Sequence, residues 1–333
     1  MSAPRILIVG ANGQIGVELA GELRSRHGAA AVVTGDIVPT ERMPGLAHEV
    51  LDVTDAAALA AVVERHRITQ IYQLAAVLSA SGEARPLLAW DVNMRGLLNA
   101  LELGRMGAVE RIFWPSSIAA FGPRTAADRT PQSAVMDPTT VYGISKLAGE
   151  RWCAWYHTRH GVDVRSLRYP GLVSWKSPPG GGTTDYAIEI FHAAVAGRPY
   201  TCFLDADQPL PMMYMPDALR ATIQIMESTP QQVRERDSYN LAGISFTPRQ
   251  IAAAIGRQVP GFTVHYEPDF RQAIAASWPR SIDDGPAQRD WGWRPRYDLD
   301  GMVADMLENL RRHPTGVASA LPAASAAPAA HLP

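Results

Sequence analysis

The sequence predicts an α/β fold in which a doubly wound parallel sheet carries a smaller lobe, built from C-terminal excursions of the chain. Three observations predict it. In the first half β-rich apolar runs alternate with segments of helical periodicity, a glycine-rich turn follows the first run, and the regular alternation ends near residue 173. Strands that are separated by helices form right-handed crossovers, which make a sheet parallel.

The elements follow from apolar runs and from the Gly, Pro, Asn and Asp residues that bound them. Strands are predicted at residues 5–9, 31–35, 48–52, 70–75, 111–114 and 164–169. Helices are predicted at residues 15–26, 56–65, 91–103, 142–157, 248–258 and 299–311. We assign residues 1–172 to the sheet domain and residues 173–313 mainly to the smaller lobe. Within the second range, residues 211–242 are expected to return to the sheet domain. Residues 314–333, dominated by Ala and Pro, predict a disordered tail.

Composition excludes several classes of protein. Of the 333 residues, 47% are apolar. The 31 Lys and Arg are balanced by 33 Asp and Glu, so the chain has no excess of positive charge that would indicate binding to nucleic acid. No apolar stretch approaches the roughly 20 residues that span a bilayer. Cys153 and Cys202 have no disulfide or metal-ligand spacing, and His157 and His160 are expected to be solvated. We predict a cytoplasmic protein without a metal, nucleic-acid or membrane partner.

The glycine-rich turn predicts a dinucleotide-binding site of the Rossmann type. Its spacing, G-x-x-G-x-x-G, permits a tight turn, a close approach of the backbone to a pyrophosphate, and close packing of helix on strand. The helix N-terminus offers free N–H groups to the phosphates. A glycine-rich turn without a ligand is the alternative. The residues assigned to this cradle are Gly10, Asn12, Gly13, Gln14, Ile15 and Gly16.

A carboxylate at the end of the second strand favours NAD over NADP. Asp36 follows Gly16 by 20 positions. A carboxylate there accepts hydrogen bonds from the adenosine ribose hydroxyls and repels a 2′-phosphate, whereas a plain turn aspartate is the alternative. Asp52 and Val53, after the third strand, are predicted to contact the adenine, and a helix cap near Thr54 and Asp55 is the alternative.

Tyr142 and Lys146 are predicted to carry proton transfer, because residues four apart share a helix face. A phenol has a pKa near 10, and a nearby ammonium and a positive nicotinamide ring both favour the phenolate. Ser117 follows a strand and can hydrogen-bond the substrate oxygen that Tyr142 deprotonates. Ser116, next to a proline, is expected to bond the backbone. A chance Tyr-x-x-x-Lys pair is the alternative.

Further cofactor contacts are assigned to Leu74, Ala75 and Ala76 after the fourth strand, to Asn93, Tyr142 and Lys146, and to Tyr169 at the end of the sixth. Asn93, on the helix that follows residues 74–76, is predicted to hold the active-site loops by side-chain hydrogen bonds. A polar residue on the helix surface is the alternative.

These motifs together resemble the extended short-chain dehydrogenase/reductase superfamily over residues 1 to about 311. The runs at residues 167–173, 179–186, 210–214 and 271–279 are similar to the short-chain type of L-threonine 3-dehydrogenase, and Gly-Gly-Gly-Thr-Thr-Asp-Tyr is the most specific of them. The resemblance implies oxidation of L-threonine by NAD to 2-amino-3-oxobutanoate, with Ser117, Tyr142 and Lys146 in the catalytic roles. Many relatives carry threonine where Ser117 stands, and either hydroxyl serves. Relatives pair through a four-helix bundle, so a homodimer is expected.

The smaller lobe is assigned to substrate binding. Thr183 and Thr184 precede a predicted helix start, where hydroxyls and free N–H groups suit an anion such as a carboxylate. Ser79 and Ser81, in a predicted loop, are further candidates, and Trp278 is expected to close over the site. Helix capping by Thr184 and a core position for Trp278 are the alternatives.

Two other functions stay open. A nucleotide-sugar epimerase or dehydratase would need a larger pocket and cationic groups for a pyrophosphate, for which Arg249, Arg271 and Arg280 are available. A non-catalytic NAD-binding protein has no need of the tyrosine, lysine and serine together.

Overall fold

The computed structural model describes residues 3–40, 42–180 and 182–313, so the tail prediction for residues 314–333 lies outside it. The described strands are β1 (Ile6–Val9), β2 (Val32–Asp36), β3 (Ala47–Val50), β4 (Gln70–Gln73), β5 (Arg111–Ser117), β6 (Val164–Tyr169), β7 (Gly171–Val173), β8 (Tyr200–Cys202), β9 (Leu210–Tyr214), β10 (Tyr239–Asn240), β11 (Ile244–Phe246) and β12 (Val264–Tyr266). The described α-helices are α1 (Gln14–His27), α2 (Ala56–His66), α3 (Ser79–Ala84), α4 (Pro86–Arg105), α5 (Val141–His160), α6 (Tyr186–Val195), α7 (Met215–Glu227), α8 (Pro248–Gly256), α9 (Arg271–Ala276), α10 (Gly285–Trp291) and α11 (Leu299–Arg312).

The central sheet of the described chain has the strand order β3-β2-β1-β4-β5-β6-β10. Each neighbouring pair is parallel. The order reverses between β1 and β4, and open sheets of this kind bind ligands at that switch point, beyond the carboxyl ends of the strands. The predicted fold class, a Rossmann-type doubly wound sheet, is confirmed.

Apolar side chains cover both faces of the sheet. One cluster joins the sheet to α2, α4 and α5, and a second joins it to α1, α7 and α10. A third cluster packs α6, α8 and α11 beside the two small sheets, β11-β9-β7 and β12-β8. The lobe boundaries drawn from the sequence stay predictions. In the described ranges, no helix is long and apolar enough to cross a membrane.

Two elements differ from the sequence prediction. β5 continues past residue 114 and includes Pro115, which has no backbone N–H to donate. The strand tolerates this proline because β4 pairs with β5 only as far as Phe113, so no hydrogen bond to β4 is lost at Pro115. Residues 79–84 form α3 where a loop was expected. Contacts of α3 with α4 and α5 outweigh the weak helix propensity of a segment rich in Ser and Gly.

Candidate active site

A cavity of about 240 Å³ opens where β1, β4, β5 and β6 end, facing residues of the smaller lobe. It brings together most of the residues that were predicted for the site. Those that line it are Gly10, Gly13, Gln14, Ile15, Gly16, Leu74, Ala76, Ser79, Ser117, Tyr142, Lys146, Tyr169, Thr183, Thr184 and Trp278. Those that do not line it are Asn12, Asp36, Asp52, Val53, Ala75, Ser81 and Asn93.

The glycine cradle packs closely against its own backbone and leaves the first turn of α1 uncapped. Gly10 has φ +79°, and a Cβ there would lie 2.5 Å from the Ala75 nitrogen. A Cβ on Gly16 would lie 2.6 Å from the Gly10 oxygen, so α1 packs directly on the turn. α1 begins after Gly13 without a side-chain cap, which leaves its first amides for a ligand. The buried Gln14 Nε2 has no hydrogen-bond partner among the described residues, which fits a bound dinucleotide.

Asp36 is held beside the cradle at the end of β2. The Asn12 backbone N–H donates to Asp36 Oδ2 at 2.9 Å, and the Asn12 side-chain amide donates to the Val38 carbonyl at 3.2 Å. Arg42 Nη1 donates to the Asn12 carbonyl at 3.0 Å, so a guanidinium lies on the same rim. The carboxylate is therefore in position to select against a 2′-phosphate, with a cation nearby.

We expect Asp36→Ala to relax the cofactor preference. Removing the carboxylate removes both the ribose acceptor and the repulsion of a 2′-phosphate, and Arg42 remains at the rim. The ratio of kcat/KM for NAD to that for NADP should fall by about 10- to 100-fold, the size of a lost charge-assisted hydrogen bond. Steady-state kinetics with both cofactors measure it. Comparable efficiency with NADP in the unmodified protein would contradict the role.

The residues assigned to the adenine are engaged elsewhere. Asp52 Oδ1 accepts hydrogen bonds from the backbone and hydroxyl of Thr54, at 2.9 and 2.8 Å. Val53 is packed in the core beneath α2 and α4, and its carbonyl accepts from Asn99 Nδ2 at 2.8 Å. Asp55, not Asp52, caps α2. An adenine contact for Asp52 and Val53 stays a prediction.

Asn93 ties the loop after β4 to α5. Its Oδ1 accepts from the Val77 N–H at 2.7 Å, and its Nδ2 donates to the Val77 carbonyl and to Ser145 Oγ, both at 3.1 Å. It is buried and does not line the cavity, so its contribution is to hold the loop. The loop placement of Ser79 and Ser81 was wrong, since both lie in α3. Ser79 faces the cavity, and Ser81 is exposed.

Tyr142 lies in the first turn of α5, where Thr140 Oγ1 accepts from the Gly143 N–H at 3.0 Å and fixes the helix start. Ser117 and Tyr142 both line the cavity, and the Ser117 Oγ accepts from the Ala119 N–H at 3.1 Å. Burial raises the pKa of Tyr142 to about 12, and the nearby Ser117 hydroxyl opposes that rise only in part. The phenol thus needs positive charge nearby before it can act as a base at neutral pH.

Lys146 differs from the sequence prediction in what it contacts. Its Nζ donates to the Pro115 carbonyl at 2.6 Å and lies 4.5 Å from the Trp114 ring centroid and 5.3 Å from that of Tyr142. Burial lowers the pKa of Lys146 to about 7, so its ammonium is partly lost at neutral pH. A lowering of the Tyr142 pKa by Lys146 stays a prediction.

Sequence reasoning missed a buried charge cluster behind these groups. Ser116 was expected to bond the backbone, which was wrong, because its Oγ donates to Glu150 Oε1 at 2.5 Å. Glu150 also accepts from Arg168, whose Nε and Nη2 lie 2.9 and 2.8 Å from the carboxylate oxygens. One signal was available, since Tyr142, Lys146 and Glu150 repeat every four residues and so share a helix face.

The smaller lobe faces the cavity with Thr183, Thr184 and Trp278. Thr183 is 2% exposed, and its Oγ1 has no hydrogen-bond partner among the described residues, so a ligand can satisfy it. Thr184 does not cap α6, whose N-cap residue is Asp185. Trp278 both lines the cavity and packs in the core cluster of the lobe, so its two readings are compatible.

The arginines that a nucleotide sugar would need are paired elsewhere. Arg249 bonds Asp207 at 2.8 Å, Arg271 bonds Asp269 at 2.6 Å, and Arg280 pairs with Asp128. None of the three lines the described cavity. Within the described residues, no group of three or more His, Cys, Asp or Glu side chains could hold a metal ion.

Fold and site together define a dinucleotide-dependent enzyme. The model of the NAD dependent epimerase/dehydratase family matches residues 6–242, and the chain belongs to that family. NAD is its cofactor, as predicted.

The chain is similar to proteins of two descriptions. It is 48% identical to an uncharacterized epimerase/dehydratase of Staphylococcus haemolyticus (strain JCSC1435), over 91% of this chain and 96% of that protein. It is 66% identical to the holo form of a GalE-like L-threonine dehydrogenase from Cupriavidus necator, with a TM-score of 0.91 over 92% of this chain and 100% of that one. L-threonine dehydrogenase from Phytophthora infestans is 46% identical, with a TM-score of 0.89 over 92% and 99%. The resemblance stated from the sequence is confirmed.

Proposed function

We propose that the protein oxidises L-threonine at C3 with NAD, giving 2-amino-3-oxobutanoate. The observation that carries the proposal is the 66% identity to a solved L-threonine dehydrogenase over almost the whole chain. Tyr142 and Ser117 both line one small cavity, which supports it. The pairing of Arg249, Arg271 and Arg280 with carboxylates outside that cavity counts against a nucleotide-sugar pyrophosphate as ligand.

In the proposed reaction Tyr142, as phenolate, takes the proton of the C3 hydroxyl. Ser117 donates a hydrogen bond that orients this hydroxyl and supports the carbonyl as it forms. Lys146 supplies positive charge that favours the phenolate, and it stays anchored through the Pro115 carbonyl. NAD, held in the glycine cradle, supplies the hydride acceptor.

A substrate panel tests the proposal. The purified protein should form NADH with L-threonine, more slowly with other 3-hydroxy amino acids, and hardly at all with simple secondary alcohols. Release of 2-amino-3-oxobutanoate should match NADH formation one for one. Conversion of a UDP-sugar without net NADH, together with no reaction on threonine, would instead establish the epimerase alternative.

We also propose that Thr183, with Thr184 and the α6 N-terminus, holds the substrate carboxylate. In Thr183→Val the buried hydroxyl is replaced by a methyl group of similar size. KM for threonine should rise about 10- to 100-fold, the cost of one charge-assisted hydrogen bond, with little change in NAD affinity. Thermal stability should not fall, because the hydroxyl has no partner among the described residues.

Threonine amide is the matched substrate control. It lacks the negative charge but keeps the C3 hydroxyl, so the unmodified protein should use it about as poorly as Thr183→Val uses threonine. Equal kcat/KM for threonine and its amide would reject the carboxylate anchor and leave the dehydrogenase proposal standing.

A homodimer is proposed from the surface of α4 and α5, which pack against each other. Large apolar side chains stand exposed on both helices, and such patches mark interfaces. They are Leu87, Leu88 and Trp90 on α4, and Ile144, Trp152 and Trp155 on α5. Two copies of this pair would form a four-helix bundle.

We expect Trp155→Glu to shift the protein from dimer to monomer in sedimentation velocity, because a charge would be buried in the interface. Phe270→Glu is the control, since Phe270 is exposed but lies outside this pair of helices. A monomeric unmodified protein, or dimers of equal stability in both variants, would contradict this interface.

A further inference from the structure

Glu150 and Arg168 form an ion pair that is almost completely withdrawn from solvent. Glu150 is 0% exposed and Arg168 2% exposed, and two hydrogen bonds join them. A buried ion pair is weak evidence for stability, because desolvation offsets most of the attraction. The pair lies directly behind the cavity, one helical turn beyond Lys146 on α5, which suggests a role there.

Glu150 controls the end of β5 through Ser116. The Ser116 hydroxyl donates to Glu150 at 2.5 Å. Ser116 separates Pro115, whose carbonyl accepts from Lys146 at 2.6 Å, from Ser117, which lines the cavity together with Tyr142. The Glu150 carboxylate therefore fixes the segment of β5 that presents the Pro115 carbonyl and the Ser117 side chain to the site.

Arg168 holds that carboxylate from the sheet side. Its Nη1 donates to the Gln132 carbonyl and to Asn240 Oδ1, both at 3.0 Å. These bonds leave Glu150 little freedom to rotate away from Ser116.

The titratable and charged groups around Glu150 come from three parts of the chain, which are α5, β6 and residues 235–237. Lys146 and Cys153 share its helix, and Arg168 comes from β6. Asp237 Oδ2 lies 3.8 Å from Arg168 Nη2, and Glu235 lines a polar cavity with it. Arg151 pairs with Asp237 at 3.2 Å. Glu150 opposes the lowering of the Lys146 pKa that burial causes.

We propose that Glu150 is a positioning residue of the active site, which fixes Pro115 and Ser117 through Ser116. This rests on the proposed function for the roles of Lys146 and Ser117. The effect of the Glu150 charge on Lys146, however, can be measured without any turnover, so the two proposals can fail separately.

The chain contains two lysines, Lys146 and Lys176, which makes the charge measurable. Lysine labelled with ¹³C at Cε gives two NMR signals, which Lys176→Arg assigns. In the full-length protein, with and without NAD, Glu150→Gln should lower the pKa of Lys146 by about one unit, because one opposing charge is lost. Asp163→Asn is the control, since Asp163 pairs with Arg165 away from the cavity. An unchanged Lys146 pKa in folded Glu150→Gln would overturn the action of Glu150 on the site.

Ser116→Ala tests positioning and leaves the ion pair intact. The Lys146 pKa should stay unchanged while kcat falls about tenfold at constant KM, and Ser116→Thr should restore most of it. Unchanged kcat in Ser116→Ala would overturn the positioning role, and this test holds even where Glu150→Gln does not fold. A wild-type protein inactive on threonine would refute the proposed function, whereas the NMR titration would still decide whether Glu150 acts on the site.

Discussion

Tyr142→Phe should lower kcat for threonine oxidation by about 10²- to 10⁴-fold, the usual contribution of one positioned proton acceptor. The substitution removes the phenol oxygen and leaves the ring in place. The glycine cradle is untouched, so NAD affinity should change little. Single-turnover kinetics and a fluorescence titration with NAD measure the two quantities.

Tyr156→Phe is the matched control for this variant. Tyr156 lies on the same helix, but its hydroxyl donates to Glu102 at 2.5 Å, away from the cavity. Its kcat should equal that of the unmodified protein. If Tyr142→Phe kept more than a tenth of the unmodified rate, Tyr142 would not be the proton acceptor.

Lys146→Met should produce the second largest effect, a fall in kcat of about 10- to 100-fold at neutral pH. The phenol acts in its deprotonated form, so kcat rises with pH until the phenolate is fully formed. Burial raises the pKa of Tyr142 to about 12, and positive charge brings it down. In Lys146→Met, which lacks the ammonium, the pH at which kcat rises should be higher by about one pH unit or more.

The dependence of kcat on pH reports apparent pKa values of Tyr142 and Lys146 as a pair, because the two groups titrate together. Burial lowers the pKa of Lys146 to about 7, so its ammonium is progressively lost as the pH rises through that value. The variant should therefore differ most from the unmodified protein on the acid side of the profile. Superimposable profiles of kcat between about pH 6 and 10 would remove Lys146 from the mechanism.

Local spacing predicted the parts of the site that lie close together in the chain. Gly10 and Gly16 predicted the cradle because their constraints arise within one strand-turn-helix unit. Tyr142 and Lys146 were found in the same way, four residues apart on α5. The centre of the sheet was predictable because β1, Ile-Leu-Ile-Val, is buried on both faces and is a continuous apolar run.

Contacts between distant segments could not be predicted from the sequence. Glu150 meets Ser116 and Arg168 across 34 and 18 positions, and neither contact has a local signature. The Pro115 carbonyl became the partner of Lys146 only through the packing of α5 on β5. Likewise α3 depends on contacts with α4 and α5 rather than on its own residues. The pKa of Lys146 follows from burial, which spacing does not report.

The fate of the hydrogen on C3 of threonine tests the central claim most directly. With L-threonine deuterated at C3, mass spectrometry of the reduced cofactor should find one deuterium per NADH formed, in a yield equal to that of 2-amino-3-oxobutanoate. NADH without deuterium would contradict oxidation at C3, and no NADH at all would contradict threonine as the substrate.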